Sequence, residues 1–415
     1  MTRTGPERTL SRRNFWSFLW HAGFFALAVN FMDTDTVIPA VLIRAGGGPL
    51  AVGFLTAIML GLSRLFQLLF AGLMEPYSYK KRFMVAGIFL RIFSLAVVAY
   101  VLHLSPHLPG GVVVATLFLA MTLFSVSGSL ANVPYIDILG KSISSDDRKR
   151  FFSVRQIVNS AGVLISAVAV RHVLRSLPYP ENYSVSFWLA TGLLLLASLG
   201  FLSIREMASP PKEKKDTVGS FLRRVIPELK KYPDLVNYLV ILNTTGVAVT
   251  FLPFMIMLAK KTGEISSSFV GNLILLKVGG MIIPGLVLFF YHRKYSYKRV
   301  LKLSVVLAAM LPPLSLLLAG NPALYQYLFV LSGIFLALYK IAVNGILIEI
   351  SNEENRTFFA GISGAGNILS SLLPIFAGMF IVWFGYTVVF LVLALLFLSG
   401  WIFAQRLNCS GTQKL

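Results

Sequence analysis

The sequence predicts an all-α integral membrane protein: twelve transmembrane helices in two similar six-helix bundles. Three observations carry this. Apolar residues fill 56% of the 415 positions and charged residues only 13%, with a mean hydropathy of +0.76, whereas soluble domains hold about 25% charged residues. Apolar runs of about 20 residues, long enough to cross a bilayer, follow one another almost from end to end. The chain also repeats itself. Tyr77-Ser78-Tyr79-Lys80-Lys81-Arg82 returns 218 residues on as Tyr295-Ser296-Tyr297-Lys298-Arg299. Asp146-Asp147-Arg148-Lys149-Arg150-Phe151-Phe152 returns after 207 as Glu353-Glu354-Asn355-Arg356-Thr357-Phe358-Phe359. Two echoes in the same order, both between apolar runs, predict an internal duplication.

Net charge is +20, which in a soluble chain points to nucleic acid. Here the distribution gives another meaning. Most of the 37 Lys and Arg lie in alternate loops and at the two termini, and only Arg44, Arg171, Arg175, Lys260 and Lys261 fall in the opposite loops. That is the positive-inside pattern. It places both termini in the cytoplasm and leaves no reason to expect a nucleic-acid partner. The first apolar run continues to Leu42 without a small-residue cleavage site, so it reads as an uncleaved span. Cys409 is the single cysteine, so no disulfide framework exists.

The spans follow in order. Span 1 covers about 14–42, and Gly46-Gly47-Gly48-Pro49 turns the chain outside. Span 2 covers 50–74, and the Tyr77–Arg82 stretch is the inner turn. Span 3 covers 83–104, before an outer turn at Pro106, Pro109, Gly110 and Gly111. Span 4 covers 112–139, span 5 covers 151–176 after a basic loop, and span 6 covers 184–204. Residues 205–233 form the longest polar segment and divide an N-terminal bundle, 1–204, from a C-terminal bundle, 234–415. Within that linker Asp216 and Thr217 offer a helix cap. Val218, Phe221, Leu222, Val225, Ile226 and Leu229 then recur at helical spacing, as in an amphipathic helix lying on the membrane. A partly disordered tether is the other reading. Spans 7 to 12 are expected at 234–259, 266–290, 299–319, 325–350, 357–384 and 386–406.

Six spans, a basic central loop, six more spans and a basic turn after spans 2 and 8: this resembles the major facilitator superfamily, whose parallel halves enclose a midplane site. The family's marker in the turn after span 2 is Gly-x-x-x-Asp-Arg-x-Gly-Arg-Arg. Here the turn reads Ala71-Gly72-Leu73-Met74-Glu75-Pro76-Tyr77-Ser78, then Lys80-Lys81-Arg82. Glu75 takes the acidic place and the basic cluster is present, but both glycines and the first arginine are missing. The resemblance implies that this turn helps latch an inner gate, with Glu75 the acid and Arg148 or Arg150 its partner. The motif Gly-x-x-x-Gly-Pro-x-x-Gly-Gly of proton-driven drug exporters is absent from span 5, which reads Asn159-Ser160-Ala161-Gly162-Val163-Leu164-Ile165-Ser166.

Charges inside a bilayer cost about 2.5–3.5 kcal/mol each on insertion scales and usually mark function. Asp33 and Asp35 lie in span 1, Arg64 in span 2, Arg91 in span 3, Lys277 in span 8 and Lys340 in span 10. If span 1 is one helix, Asn30, Asp33, Thr34 and Val37 share a face and Asp35 points away. Pro39 would then free the carbonyl of Asp35 beside a carboxylate, a place for a cation. Spans 2, 8 and 10 line the cavity in the family, which implies that Arg64, Lys277 and Lys340 face a solute. Arg91 reads as structural. Asn132 and Asn344 recur five residues before Asp137 and Glu349 in the two halves. With Asn30 they supply hydrogen bonds to the solute, and Ser125, Ser129, Asn243 and Asn367 add further capacity. Four cations against two acids favour an anionic group on that solute.

The expected function is therefore a secondary transporter for a small polar or amphipathic, anionic solute, working by alternating access. Asp33 and Asp35 are the candidates for coupling to protons or sodium, since a carboxyl group in a low-dielectric cavity can carry a proton. A proton-driven exporter of amphipathic drugs or lipids is the competing transporter reading. A membrane sensor or assembly protein is the reading of another class. No cofactor, metal or enzymatic activity is expected, because His103, His107, His21, His172 and His292 stand without acid clusters. The remaining expectations are a monomer in a bacterial inner membrane, with the lipid bilayer and a small molecule as partners.

Overall fold

The computed structural model describes residues 5–74, 77–143, 145–208, 227, 229–262, 266–290, 296–351, 359, 362–363 and 366–408. The described residues are helical throughout their long elements and contain no strand. Span 1 is built of α1 (Gly5–Ala28), a 3-10 turn (Val29–Met32) and α2 (Val37–Arg44). Span 2 is α3 (Pro49–Ala57), a π-helical turn (Ile58–Leu62) and α4 (Ser63–Met74). Spans 3 to 6 are α5 (Lys81–Leu104), α6 (Gly110–Ser142), α7 (Ser145–Ser176) and α8 (Glu181–Ser203). Span 7 is α9 (Pro233–Asn243), a 3-10 turn (Thr245–Thr250) and α10 (Leu252–Thr262). Then come α11 (Ser267–Phe290), α12 (Tyr297–Leu318), the single turn α13 (Pro322–Tyr325), α14 (Leu328–Ile350) and α15 (Ile368–Arg406).

Among the described residues, eleven helices are long and apolar enough to cross a membrane. The last runs 37 residues, Ser370–Arg406. As one rod it would measure about 55 Å against a hydrocarbon core of about 30 Å. Gly385 resolves the excess: its φ of 77° breaks the helix, a conformation that costs glycine little. α15 therefore supplies spans 11 and 12. The amphipathic stretch expected at Val218–Leu229 lies almost wholly outside the described residues.

The chain forms two compact units: Met1–Val41 with Ile58–Val218, and Leu42–Ala57 with Gly219–Leu415. In the first, α5 packs on α6 and α8, α1 on α7 and α8, and α4 on α6. Phe18, Phe151, Tyr183 and Phe187 fill its core. In the second, α11 packs on α14, α12 on α14 and α15, and α15 also on α3. Its core holds Phe251, Phe254, Phe329, Phe335, Phe390 and Phe397. The outer turn at Gly46-Gly47 ends α2 as the glycines predict. Gly46 has φ of 99°, and the amides of Gly46 and Gly47 return to the carbonyls of Ile43 and Leu42 at 3.2 and 2.8 Å, a Schellman closure.

Candidate functional site

Span 1 is not one helix, and this corrects the expected shared face. Asp33, Thr34, Asp35 and Thr36 have short polar side chains that compete for backbone bonds and disfavour helix interiors. The helix stops at Asp33, whose φ and ψ are −59° and 124°. Asp33 then starts the next piece. Its Oδ1 accepts from the Asp35 amide at 3.1 Å and from the Thr36 hydroxyl at 2.7 Å, an Asx-type cap. Pro39 sits in the first turn of α2, where no intrahelical donor is lost, so it does not kink the span. Asn30, the last polar residue before the break, donates from Nδ2 to the Val163 carbonyl at 2.7 Å and to the Ser166 hydroxyl at 2.8 Å. Both of its donors thus hold span 5. Ser166 in turn reaches the Ala26 carbonyl at 3.2 Å.

The second unit repeats this arrangement. Span 7 breaks at Thr244, just past α9, in a stretch of threonines and a glycine. Asn243 donates to the Gly366 carbonyl at 2.7 Å. Ser370 donates to the Leu242 carbonyl at 2.8 Å. Spans 1 and 5 are therefore locked by Asn30 and Ser166, and spans 7 and 11 by Asn243 and Ser370. Sequence reasoning missed this pair, although a signal existed: Ala161-Gly162, followed four residues later by Ser166, returns 204 residues on as Ala365-Gly366 and Ser370. Gly162 is needed for the approach, since a Cβ there would stand 2.7 Å from that of Ala26.

The inner-turn echo also has a structural counterpart. Lys81 Nζ donates to the carbonyls of Leu202 and Ile204, each at 2.7 Å. Lys298 Nζ donates to those of Gln405 and Leu407 at 2.8 and 2.7 Å. Each lysine stands at the start of one span and satisfies the orphan carbonyls ending another, where the helix dipole favours a cation. The aligned echo pairs Lys80 with Lys298, but the structure gives the role to Lys81. Lys80 instead pairs with Asp137 at 3.3 Å. The amide of Arg205 donates to Asn14 Oδ1 at 3.0 Å, as the amide of Asn408 does to Asp234 Oδ1 at 2.9 Å. Only the first unit adds Glu206, whose carboxylate takes the amides of Lys80 and Lys81 at 2.7 to 2.9 Å.

The other expected residues are placed as follows. Arg64, half-buried, follows the π turn in span 2. Span 4 bonds to this stretch: Ser125 donates to the Ile58 carbonyl at 3.0 Å and Ser129 to that of Ser63 at 2.6 Å. Both serines thus shape span 2. Asn132 is exposed on α6. Lys277 is 3% exposed, midway along apolar α11, where its carbonyl lies against Gly333 of α14. Lys340 and Asn344 are both exposed and one turn apart on α14. Asp35 is half-buried at the break in span 1. Arg91 lies over the Phe124 ring, with Cζ 4.0 Å from its centre, as a structural cation–π contact would. Glu75 and the side chains of Arg148 and Arg150 lie outside the described residues.

With this geometry established, comparison with known proteins gives the family. The model of the Major Facilitator Superfamily matches residues 23–312. Similar solved structures include the peptide transporter POT, at 14% identity and a TM-score of 0.70, covering 97% of this chain and 98% of that one. The nucleoside transporter NupG is 13% identical with a TM-score of 0.66, covering 97% and 99%. A POT family transporter in complex with 5-aminolevulinic acid is 13% identical with a TM-score of 0.63, covering 98% and 97%. No curated protein matches in sequence. The chain belongs to the major facilitator superfamily. It is thus a multi-pass membrane transporter and not an enzyme.

Proposed function

We propose that the protein is a secondary transporter that moves a small polar or amphipathic solute carrying an anionic group. It would act by alternating access, with Asp33 as the coupling carboxyl group. The supporting observation is Lys277: a lysine residue 3% exposed in the middle of an apolar membrane helix carries an insertion cost of about 2.5–3.5 kcal/mol, which function can account for. Lys340 and Asn344, one turn apart on α14, and Arg64 beside the π turn of span 2 extend the cationic set. Asn132 belongs with them by its exposure on α6. Asn30 contributes by holding spans 1 and 5 together. Glu75, Arg148 and Arg150 remain our candidates for the inner gate, and the positive-inside distribution is our reason for placing both termini in the cytoplasm.

The test is flux into proteoliposomes. Zwitterionic and anionic solutes, among them short peptides, nucleosides and 5-aminolevulinic acid, are supplied with and without a pH or sodium gradient. Lys277→Ala should raise KM for an anionic solute more than for a neutral analogue. Equal kinetics for both solutes in that variant would overturn the anionic assignment.

A further inference from the structure

The second unit carries a feature that includes none of the residues assigned to the solute. Between α12 and the last part of α15 lies a groove of about 470 Å³, lined by Val306, Leu395, Leu398, Ser399, Trp401 and Ile402. Its walls are almost entirely hydrocarbon. Leu395, Leu398 and Ile402 are exposed, so the groove opens outward along a membrane span. One end is different. Lys302 stands one turn before Val306, on the same face of α12, and its Nζ lies 5.3 Å from the centre of the Trp401 ring. This is the end at which α12 begins and α15 stops, where Arg299 and Arg406 are exposed as well.

We propose that this groove binds one acyl chain of an anionic glycerophospholipid, with Lys302 on the phosphate and the Trp401 indole at the interface. The chemistry selects the occupant. A wall of hydrocarbon inside a membrane span takes an acyl chain, and the cationic rim takes an anionic headgroup, each nearby Lys or Arg contributing to that attraction. No carboxylate among the described residues is paired with Lys302. Tryptophan belongs at this depth, with its ring in hydrocarbon and its N–H near the headgroups. A transmembrane helix of another chain fits less well, because helix contacts in lipid favour small residues and this face presents Leu303, Leu395 and Leu398.

The duplication supplies an internal control. The two lysine clamps equate Lys81 with Lys298, and Leu202 and Ile204 with Gln405 and Leu407. On those offsets Lys302 and Trp401 correspond to Val85 and Ser198. The first unit packs the same helix pair, α5 on α8, without a cation or an indole. Holding the helices together therefore does not require the Lys302–Trp401 pair.

The test is native mass spectrometry of the full-length protein extracted from vesicles of equimolar phosphatidylglycerol and phosphatidylcholine. The wild type should retain phosphatidylglycerol in preference. Lys302→Gln should reduce that preference about fivefold, the worth of one cation at an anionic surface, and Lys302→Arg should keep it. Val306→Trp, which fills the groove, should lower retention of both lipids. The proposal fails if Lys302→Gln keeps the preference, if the wild type holds both lipids equally, or if Val306→Trp changes nothing. It also fails if the wild type appears as a lipid-free dimer.

Discussion

The breaks in spans 1 and 7 are made from the same plan and end with different chemistry. In both, a polar cluster interrupts an apolar helix and an asparagine just before the break bonds to the fifth span of its unit. In both, a serine of that span returns the contact. Only the first break contains carboxylates. Asp33 caps α2 with two donors on one oxygen. The break in span 7 is closed by hydroxyls, with Thr250 bonded to the Val247 carbonyl at 2.8 Å and Thr245 to that of Phe397 at 2.9 Å. The lock is common to both and the charge belongs to one. The second break is therefore a built-in control for the coupling role proposed for Asp33 in the first.

The largest expected effect tests that role. Asp33→Asn keeps a side-chain oxygen as a cap but removes the exchangeable proton, so uptake should no longer respond to an imposed pH gradient. Thr250→Val, in the other break, should leave the response intact. If both variants respond alike in proteoliposomes, the charge asymmetry has no role in coupling. A smaller effect is expected at the shared lock. Asn30→Ala and Asn243→Ala each strand carbonyl partners in a buried contact, costing about 1–2 kcal/mol. Both should lower the melting temperature in detergent by similar amounts, and a marked inequality would break the equivalence of the two locks. The smallest effect concerns the clamps. Lys298→Gln should cost about 0.5–1 kcal/mol. Lys81→Gln should cost less, because Glu206, Arg13 and Asn14 also hold that corner. Adding Glu206→Gln to Lys81→Gln should bring the cost at that corner closer to that of Lys298→Gln in the same melting assay.

Much of this was legible in the sequence. Apolar runs gave the spans, because the bilayer imposes a minimum length of hydrocarbon on any helix that crosses it. The Tyr-Ser-Tyr-Lys echo pointed to inner turns with matching lysine contacts, and Gly46-Gly47 to the outer turn. The continuous helix assumed for span 1 was wrong because Asp33 and Thr36 could bond to each other and to the backbone, a local choice that a face drawn at 100° per residue does not contain. Ser125 and Ser129 looked like solute ligands, yet their hydroxyls go to span 2, since only packing brings the carbonyls of Ile58 and Ser63 to α6.

By itself, the sequence determined that the chain crosses a membrane repeatedly, that matching stretches recur in its two halves, and where its charges lie along each span. Hydrophobic length, repetition and composition are properties of the chain alone, so they can be read without coordinates. Only the tertiary structure decided which polar groups are committed to one another. Asn30 could have met a solute or span 5, and Lys81 rather than Lys80 reaches the end of span 6. Those outcomes depend on the neighbour that packing places within about 3 Å, because a hydrogen bond fades steeply beyond that reach.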